Sequence, residues 1–280
     1  LRGLSSNTVD VQQLDKASYQ ITAAKDQEIS LTYQVYANEL TVRTSEVNEH
    51  HAFIHSPCFF FEVKDQEFDS YELTLDLPKE WTSVSTGLTE LVKNKHYQAP
   101  TFDDLLDCPL EIGSHKIEQF TVAGKAHYYA AYGAKVPTEH AVVADLEKVF
   151  QYVADYVGEV PYEHYTVMSH FLPNIYGGLE HKNSTAVQFC PWMMHSKEGY
   201  QNWLSLMSHE YFHTWNIKRI RPKHFSSFDY SQENYTDMLW LAEGLTSFLD
   251  DLFIYQAGFT TQQEYLKVLT KAINRFEAIP

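Results

Sequence analysis

The stretch Trp203-Leu204-Ser205-Leu206-Met207-Ser208-His209-Glu210-Tyr211-Phe212-His213-Thr214-Trp215 decides how this chain is read. Its apolar residues Trp203, Leu204, Leu206, Met207, Tyr211, Phe212 and Trp215 predict a largely buried helix, expected from Trp203 to Ile220 and stopped by Pro222. On a helix, residues four apart share a face, so His209 and His213 aim two imidazoles at one point. Glu210 is turned about 100° from His209, where it reaches a metal-held water without being a ligand itself. The pattern is H-E-x-x-H. Two histidines on a polar helix face can equally be satisfied by ordinary hydrogen bonds, so a catalytic metal site needs a third protein ligand.

Downstream, Leu239-Trp240-Leu241-Ala242-Glu243-Gly244-Leu245-Thr246 sets Glu243 in an otherwise apolar helical stretch, where an unpaired carboxylate is costly. A metal neutralises that cost, and so does an ion pair with Lys218 or Arg219. Asp250 at +7 and Thr246 at +3 from Glu243 share its face, and either suits the task of orienting a ligand histidine through its far nitrogen. Helices are expected over Tyr235 to Ala257, stopped by Gly258, and over Gln262 to Phe276. The chain stops at Pro280 soon after, so the C-terminal part reads as incomplete.

Upstream, Ile29 to about Gly133 alternates polar and apolar residues, as in Tyr71-Glu72-Leu73-Thr74-Leu75-Asp76-Leu77 and His127-Tyr128-Tyr129-Ala130-Ala131-Tyr132. Half-buried strands are expected there, broken by a loop or short helix between Ala99 and Ser114. After Pro137 the period changes: from Thr138 on, Val142, Leu146, Val149, Val153 and Val157 recur at steps of three and four until Gly158. This divides the chain into a β-rich domain, 1–135, and a second domain, 136–280. Tyr165 to Phe171 and Ala186 to Cys190 are further expected strands, and Tyr176-Gly177-Gly178-Leu179-Glu180-His181 lies between them. Glycines allow a peptide backbone to approach a strand edge, and a carboxylate at the strand's end can hold a free α-ammonium. A turn with a solvated Glu180 is the plainer alternative.

Composition narrows the partners. With 280 residues and 44% hydrophobic content, the chain can bury a real core. A net charge of −16 repels polyanions, so nucleic acid and anionic membrane surfaces are not expected partners. No run of about eighteen apolar residues and no signal-peptide pattern occurs, which predicts a soluble, cytoplasmic chain. Cys58, Cys108 and Cys190 lie too far apart for a thiol metal site and are expected as free buried thiols. The sequons at Asn183 and Asn234 flank the motif region and read as chance matches. His50, His51 and His55 lack a companion carboxylate or thiol at ligand spacing.

Ser208-His209-Glu210-Tyr211-Phe212-His213-Thr214-Trp215-Asn216-Ile217-Lys218-Arg219-Ile220-Arg221-Pro222, followed by Trp240-Leu241-Ala242-Glu243-Gly244-Leu245-Thr246-Ser247, resembles the M61 family of metallopeptidases, the glycyl aminopeptidase family. The Gly177-Gly178-Leu179-Glu180 segment is similar to the G-x-M-E-N exopeptidase motif of the related M1 aminopeptidases, with His181 in place of Asn. The resemblance implies an α+β protein, with an N-terminal β-rich domain followed by a thermolysin-like zinc metallopeptidase domain. It implies one zinc per chain on His209, His213 and Glu243, with Glu210 as general base. It implies that Gly177, Gly178 and Glu180 bind a peptide substrate by its free N-terminus, and that small residues such as glycine or alanine are released. An endopeptidase, or a catalytically weak peptide-binding module, is the alternative.

Overall fold

A computed structural model describes residues 1–66, 68–137, 139–225 and 232–279. The first half is built from short strands. Two ribbons lead: β1 (Arg2–Ser5) pairs with β4 (Thr32–Gln34), and β2 (Asp10–Gln13) with β3 (Tyr19–Thr22). Next come β5 (Glu46–Val47), β6 (His51–Ile54), β7 (Tyr71–Thr74), β8 (Ser83–Thr86), β9 (Thr89–Val92) and β10 (His96–Ala99). The expected break between Ala99 and Ser114 holds helix α1 (Phe102–Leu106), started by the Thr101 side chain on the Asp104 N–H, but then a strand, β11 (Leu110–Gly113). Prolines and aspartates mask that strand in the sequence. It is the central member of the sheet β5-β6-β11-β8, while β7, β10 and β9 form a second sheet packed over Leu105, Leu110 and Ile112.

The second half is organised around a five-stranded sheet, β12-β13-β14-β16-β15, made of β12 (Ile117–Val122), β13 (Lys125–Gly133), β14 (His164–Phe171), β15 (Tyr176–Glu180) and β16 (Ser184–Phe189). Because β13 pairs in parallel with β14, the change of sheet falls between Gly113 and Ile117, ahead of the change of period at Pro137. Helix α2 (Val142–Val157) is the crossover between them, ended by Gly158 in the left-handed region at φ 95°. The start expected at Thr138 lies outside the described residues, as does Pro280.

Helix α3 (Lys197–Phe212) begins six residues before Trp203, where Ser196 caps the Gly199 N–H, and ends at Phe212 rather than Ile220. Beyond it the backbone tightens into turns, with the Trp215 N–H donating to the Phe212 carbonyl. The expected helix from Tyr235 is instead a π-helical turn, Trp240–Gly244, that runs into α4 (Leu245–Gln256); α5 (Gln262–Glu277) follows with a capping box. Among the described residues, no helix is long and apolar enough to cross a membrane. Cys108 is buried, but Cys58 is exposed and Cys190 half-buried.

The middle strand β14 shows why the two halves are inseparable. Tyr165, Val167 and Phe171 face a core filled by Phe150 and Val153 of α2, Trp203 and Tyr211 of α3, and Phe253 of α4. The alternate residues face the first half: Thr166 Oγ1 donates to the Thr86 carbonyl, Met168 packs with Phe53 and Val42, and His170 meets Glu111. The Glu111 carboxylate accepts from His51 Nδ1 at 2.7 Å and from His170 Nε2 at 2.9 Å, joining β6, β11 and β14 in a site where all three side chains are within 2% of full burial. Here the cluster of His50, His51 and His55 dissolves: His51 belongs to this bridge, and His50 lies exposed beside Glu49.

Burial alone would raise the Glu111 pKa, but the two imidazoles hold it below its ordinary 4.5. A carboxylate whose folded pKa is depressed contributes stability above its unfolded pKa and loses it as pH falls through the folded value. Glu111→Ala is therefore expected to cost about 3 kcal/mol in urea unfolding at pH 7. The gap to wild type should shrink as pH drops below 4.5.

Candidate active site

Helix α3 carries His209 one turn before its end and leaves His213 as its C-cap, so both imidazoles emerge where the helix gives way to turns. Their Nε2 atoms lie 2.9 Å apart, and Glu243 Oε2 stands 3.3 Å from the first and 3.7 Å from the second. Four tetrahedral ligands at zinc distances of about 2.0–2.1 Å are separated by about 3.3–3.4 Å. The three observed edges bracket that value. Glu243 reaches this point from the π-helical turn, and its side chain is about half exposed. The apolar surroundings expected from the sequence are thus absent, and convergence with the histidines takes the place of the burial argument. Neither alternative ion pair forms: Lys218 is bonded to Asp107, and Arg219 to the carbonyls of Thr214, Lys182 and Pro161.

The far nitrogens are also fixed. His209 Nδ1 donates to Asp250 Oδ2 at 2.8 Å, and His213 Nδ1 to the Asn216 carbonyl at 2.6 Å, which leaves both Nε2 lone pairs for a cation. Asp250 therefore does what its spacing suggests. Thr246 touches neither histidine: its hydroxyl donates to the Ala242 carbonyl and accepts from Asn216 Nδ2, which also reaches the Leu241 carbonyl. The sequence reading missed Asn216. It works through a backbone carbonyl, for which side-chain identity gives no signal.

Glu210 is buried beside this triad and its Oε2 has no hydrogen-bond partner. Burial, with Glu180 nearby, pushes its pKa up to about 8, and burial likewise pushes Asp250 up to about 6. Against the opposing effect of burial, hydrogen bonds to Asp250 and Glu243 lift His209 to about 10. Those bonds to the histidines hold Glu243 well below the usual carboxylate range. Four carboxylates thus surround two imidazoles, one of them with an orphaned oxygen, and the donor set fits a divalent cation.

The two glycines sit on β15, the edge strand of the sheet, with β16 as its single neighbour. Gly178 is crowded rather than flexible. A Cβ there would stand 2.1 Å from Glu210 Oε1, so the glycine makes room for that carboxylate. Gly177 has a positive φ of 156° and open space around it. Glu180 ends the strand, not in a turn, and its carboxylate, that of Glu210 and a His213 nitrogen all lie within 4.8 Å of one another. Asn183 is half-buried with its amide donating to the Gly87 carbonyl, which suits the reading of its sequon as a chance match.

A β-rich half followed by a mixed sheet and an imidazole-bearing helix is the architecture of zinc metallopeptidases. The M1 zinc metallopeptidase from Deinococcus radiodurans aligns over the whole chain and 66% of its own length, with a TM-score of 0.56 at 14% identity, a likeness of fold. An aminopeptidase N family protein from Idiomarina loihiensis aligns over 95% of the chain with a TM-score of 0.89 and 32% identity. The chain spans about half, 48%, of that protein. No curated protein sequence matches. Two family profiles do: the M61 N-terminal domain over residues 3–114 and the M61 glycyl aminopeptidase over 202–280. The chain belongs to the M61 peptidase family.

Gly178→Ala tests the contact with Glu210. The added methyl must displace the carboxylate, so peptide turnover should fall by at least about tenfold while bound metal, measured by elemental analysis, stays at the wild-type level.

Proposed function

We propose that this chain carries the catalytic site of a zinc aminopeptidase that removes one small residue, glycine or alanine, from peptides with a free N-terminus. The observation that carries this reading is the closeness of Glu180 to Glu210 and His213. Consecutive Cα atoms are about 3.8 Å apart, so a carboxylate this near the imidazoles leaves room for a single residue between an anchored α-ammonium and the scissile carbonyl. An endopeptidase would leave Glu180 without a task. The preference for small residues rests on the family description and on the likeness of the Gly177–Glu180 stretch to an exopeptidase motif.

His209, His213 and Glu243 would hold one zinc, with Asp250 and the Asn216 carbonyl keeping the imidazoles oriented. Zinc bound there supplies a Lewis acid for the carbonyl and lowers the pKa of a water. The chain's own residues do the rest. The free edge of β15 pairs with an extended substrate backbone, and Glu180 accepts hydrogen bonds from its ammonium. Glu210 takes a proton from the attacking water and passes it to the leaving amine. Its high pKa in the bare site falls once a dication sits beside it, which makes it an ionised base at neutral pH.

Two measurements test the proposal on the full-length protein. Glu243→Ala should lose most of its zinc by elemental analysis, and Asp250→Ala should bind zinc about 10–100-fold more weakly; undiminished metal in the first removes Glu243 from the site. Glu180→Ala should lose roughly a hundredfold in kcat/KM on free N-terminal peptides and change little on N-acetylated ones. Equal losses on both would favour the endopeptidase reading.

A further inference from the structure

His181, the residue at which the exopeptidase-like motif departs from its pattern, leads to a carboxylate that belongs to the first half of the chain. Asp107 follows α1, and its side chain is about 10% exposed. Its Oδ2 accepts the Lys182 backbone N–H at 2.7 Å, while Oδ1 accepts Lys218 Nζ at 2.6 Å and faces His181 Nδ1 at 3.3 Å. The Lys218 backbone N–H in turn donates to the His213 carbonyl at 3.0 Å. A continuous line of direct hydrogen bonds therefore runs from the histidine at the end of α3, through Lys218 and Asp107, to the two residues that follow Glu180.

The neighbours of this line restrain the same turn. Lys182 Nζ is bonded to Asp104 Oδ1 at 2.6 Å and Asp103 Oδ2 at 3.0 Å, so α1 grips the lysine as well as its backbone. Arg219 Nη1 joins the Lys182 carbonyl to the Thr214 carbonyl. Asn183 fills the space over Gly87, where a Cβ would meet its Oδ1 at 2.5 Å. Burial alone would raise the pKa of Asp107, but Lys218 and His181 hold it well below the usual carboxylate range, so the bridging group is an anion. A buried anion shared between two segments fixes their separation more stiffly than apolar contact, because moving either donor away leaves a desolvated charge unpaired.

We propose that Asp107 is a positioning residue that sets the distance between the Glu180 carboxylate and the metal-ligand triad, so that the β-rich half of the chain tunes recognition of the substrate's N-terminus. This rests on the reading of Glu180 as the ammonium anchor. In the full-length, zinc-loaded enzyme, Asp107→Asn keeps the shape and one acceptor oxygen but removes the charge. KM for a free N-terminal peptide should rise by about tenfold, with kcat, zinc content and cleavage of the N-acetylated peptide nearly unchanged. Adding Asp107→Asn to Glu180→Ala should cause no further loss, because the first change acts through the second residue. Deuterium exchange at the Lys182 amide should quicken. Lys218→Met, which leaves the Lys182 contact intact, should shift KM in the same direction by less and serves if Asp107→Asn does not fold. Additive losses in the double variant, equal losses on both peptides, or an unchanged KM with unchanged exchange would each overturn the inference. A wild-type enzyme that fails to distinguish free from acetylated peptides would instead overturn the reading of Glu180.

Discussion

An imidazole offers its Nε2 lone pair to a cation only while its other nitrogen keeps the proton, and here two oxygens enforce that condition. One is the Asp250 carboxylate on α4; the other is the Asn216 carbonyl in the turns after α3. Much of the surrounding architecture follows from the second. To bring that carbonyl back onto His213, the chain must leave the helix at once, and it does so at Phe212. The Asn216 side chain then donates to the carbonyls of Leu241 and Ala242, tying the segment with the two histidines to the turn with the carboxylate. Three ligands from two distant parts of the sequence are thereby referred to one residue.

A second constraint is the two-faced burial of β14. Its odd-numbered residues pack under the helices and its even-numbered residues pack against the first half, so the sheet that supports α3 is clamped from both sides. The polar bridges Glu111–His170 and Thr166–Thr86 sit on the second face, where a wholly apolar contact would fix the halves less specifically. The first half is consequently part of the scaffold of the site, reaching it both through this sheet and through α1.

Much of this was legible in the residues. The four-residue spacing of His209 and His213 fixes their common face, and the alternation of Tyr71 to Leu77 and of His127 to Tyr132 fixes strands; both signals are local and periodic. The β11 strand was hidden because Asp107 and Pro109 advertise a loop while Leu110 and Ile112 pair in the middle of a sheet. The exit from α3 at Phe212 was hidden because apolar and basic residues continue through Ile220 without a helix breaker. Glu243 was singled out for a burial it does not have, and its partners depend on backbone geometry that no residue pattern specifies. The crowding of Gly178 by Glu210 joins positions thirty-two apart through space, and glycine's usual association with flexibility conceals it.

The π-helical turn at Trp240–Gly244 carries one more residue per turn than the α-helix into which it runs. Glu243 lies inside the widened turn and Asp250 beyond it, so their angular relation depends on that extra residue. Deleting one residue from this stretch would restore an ordinary helix, with better backbone hydrogen bonds, and rotate Glu243 against Asp250 by about 100°. One of the two would then face away from His209. In the evolution of this chain, substitutions in the turn can be absorbed by the exposed side chains of Leu239 and Trp240, whereas a single-codon deletion there removes the site while improving the helix.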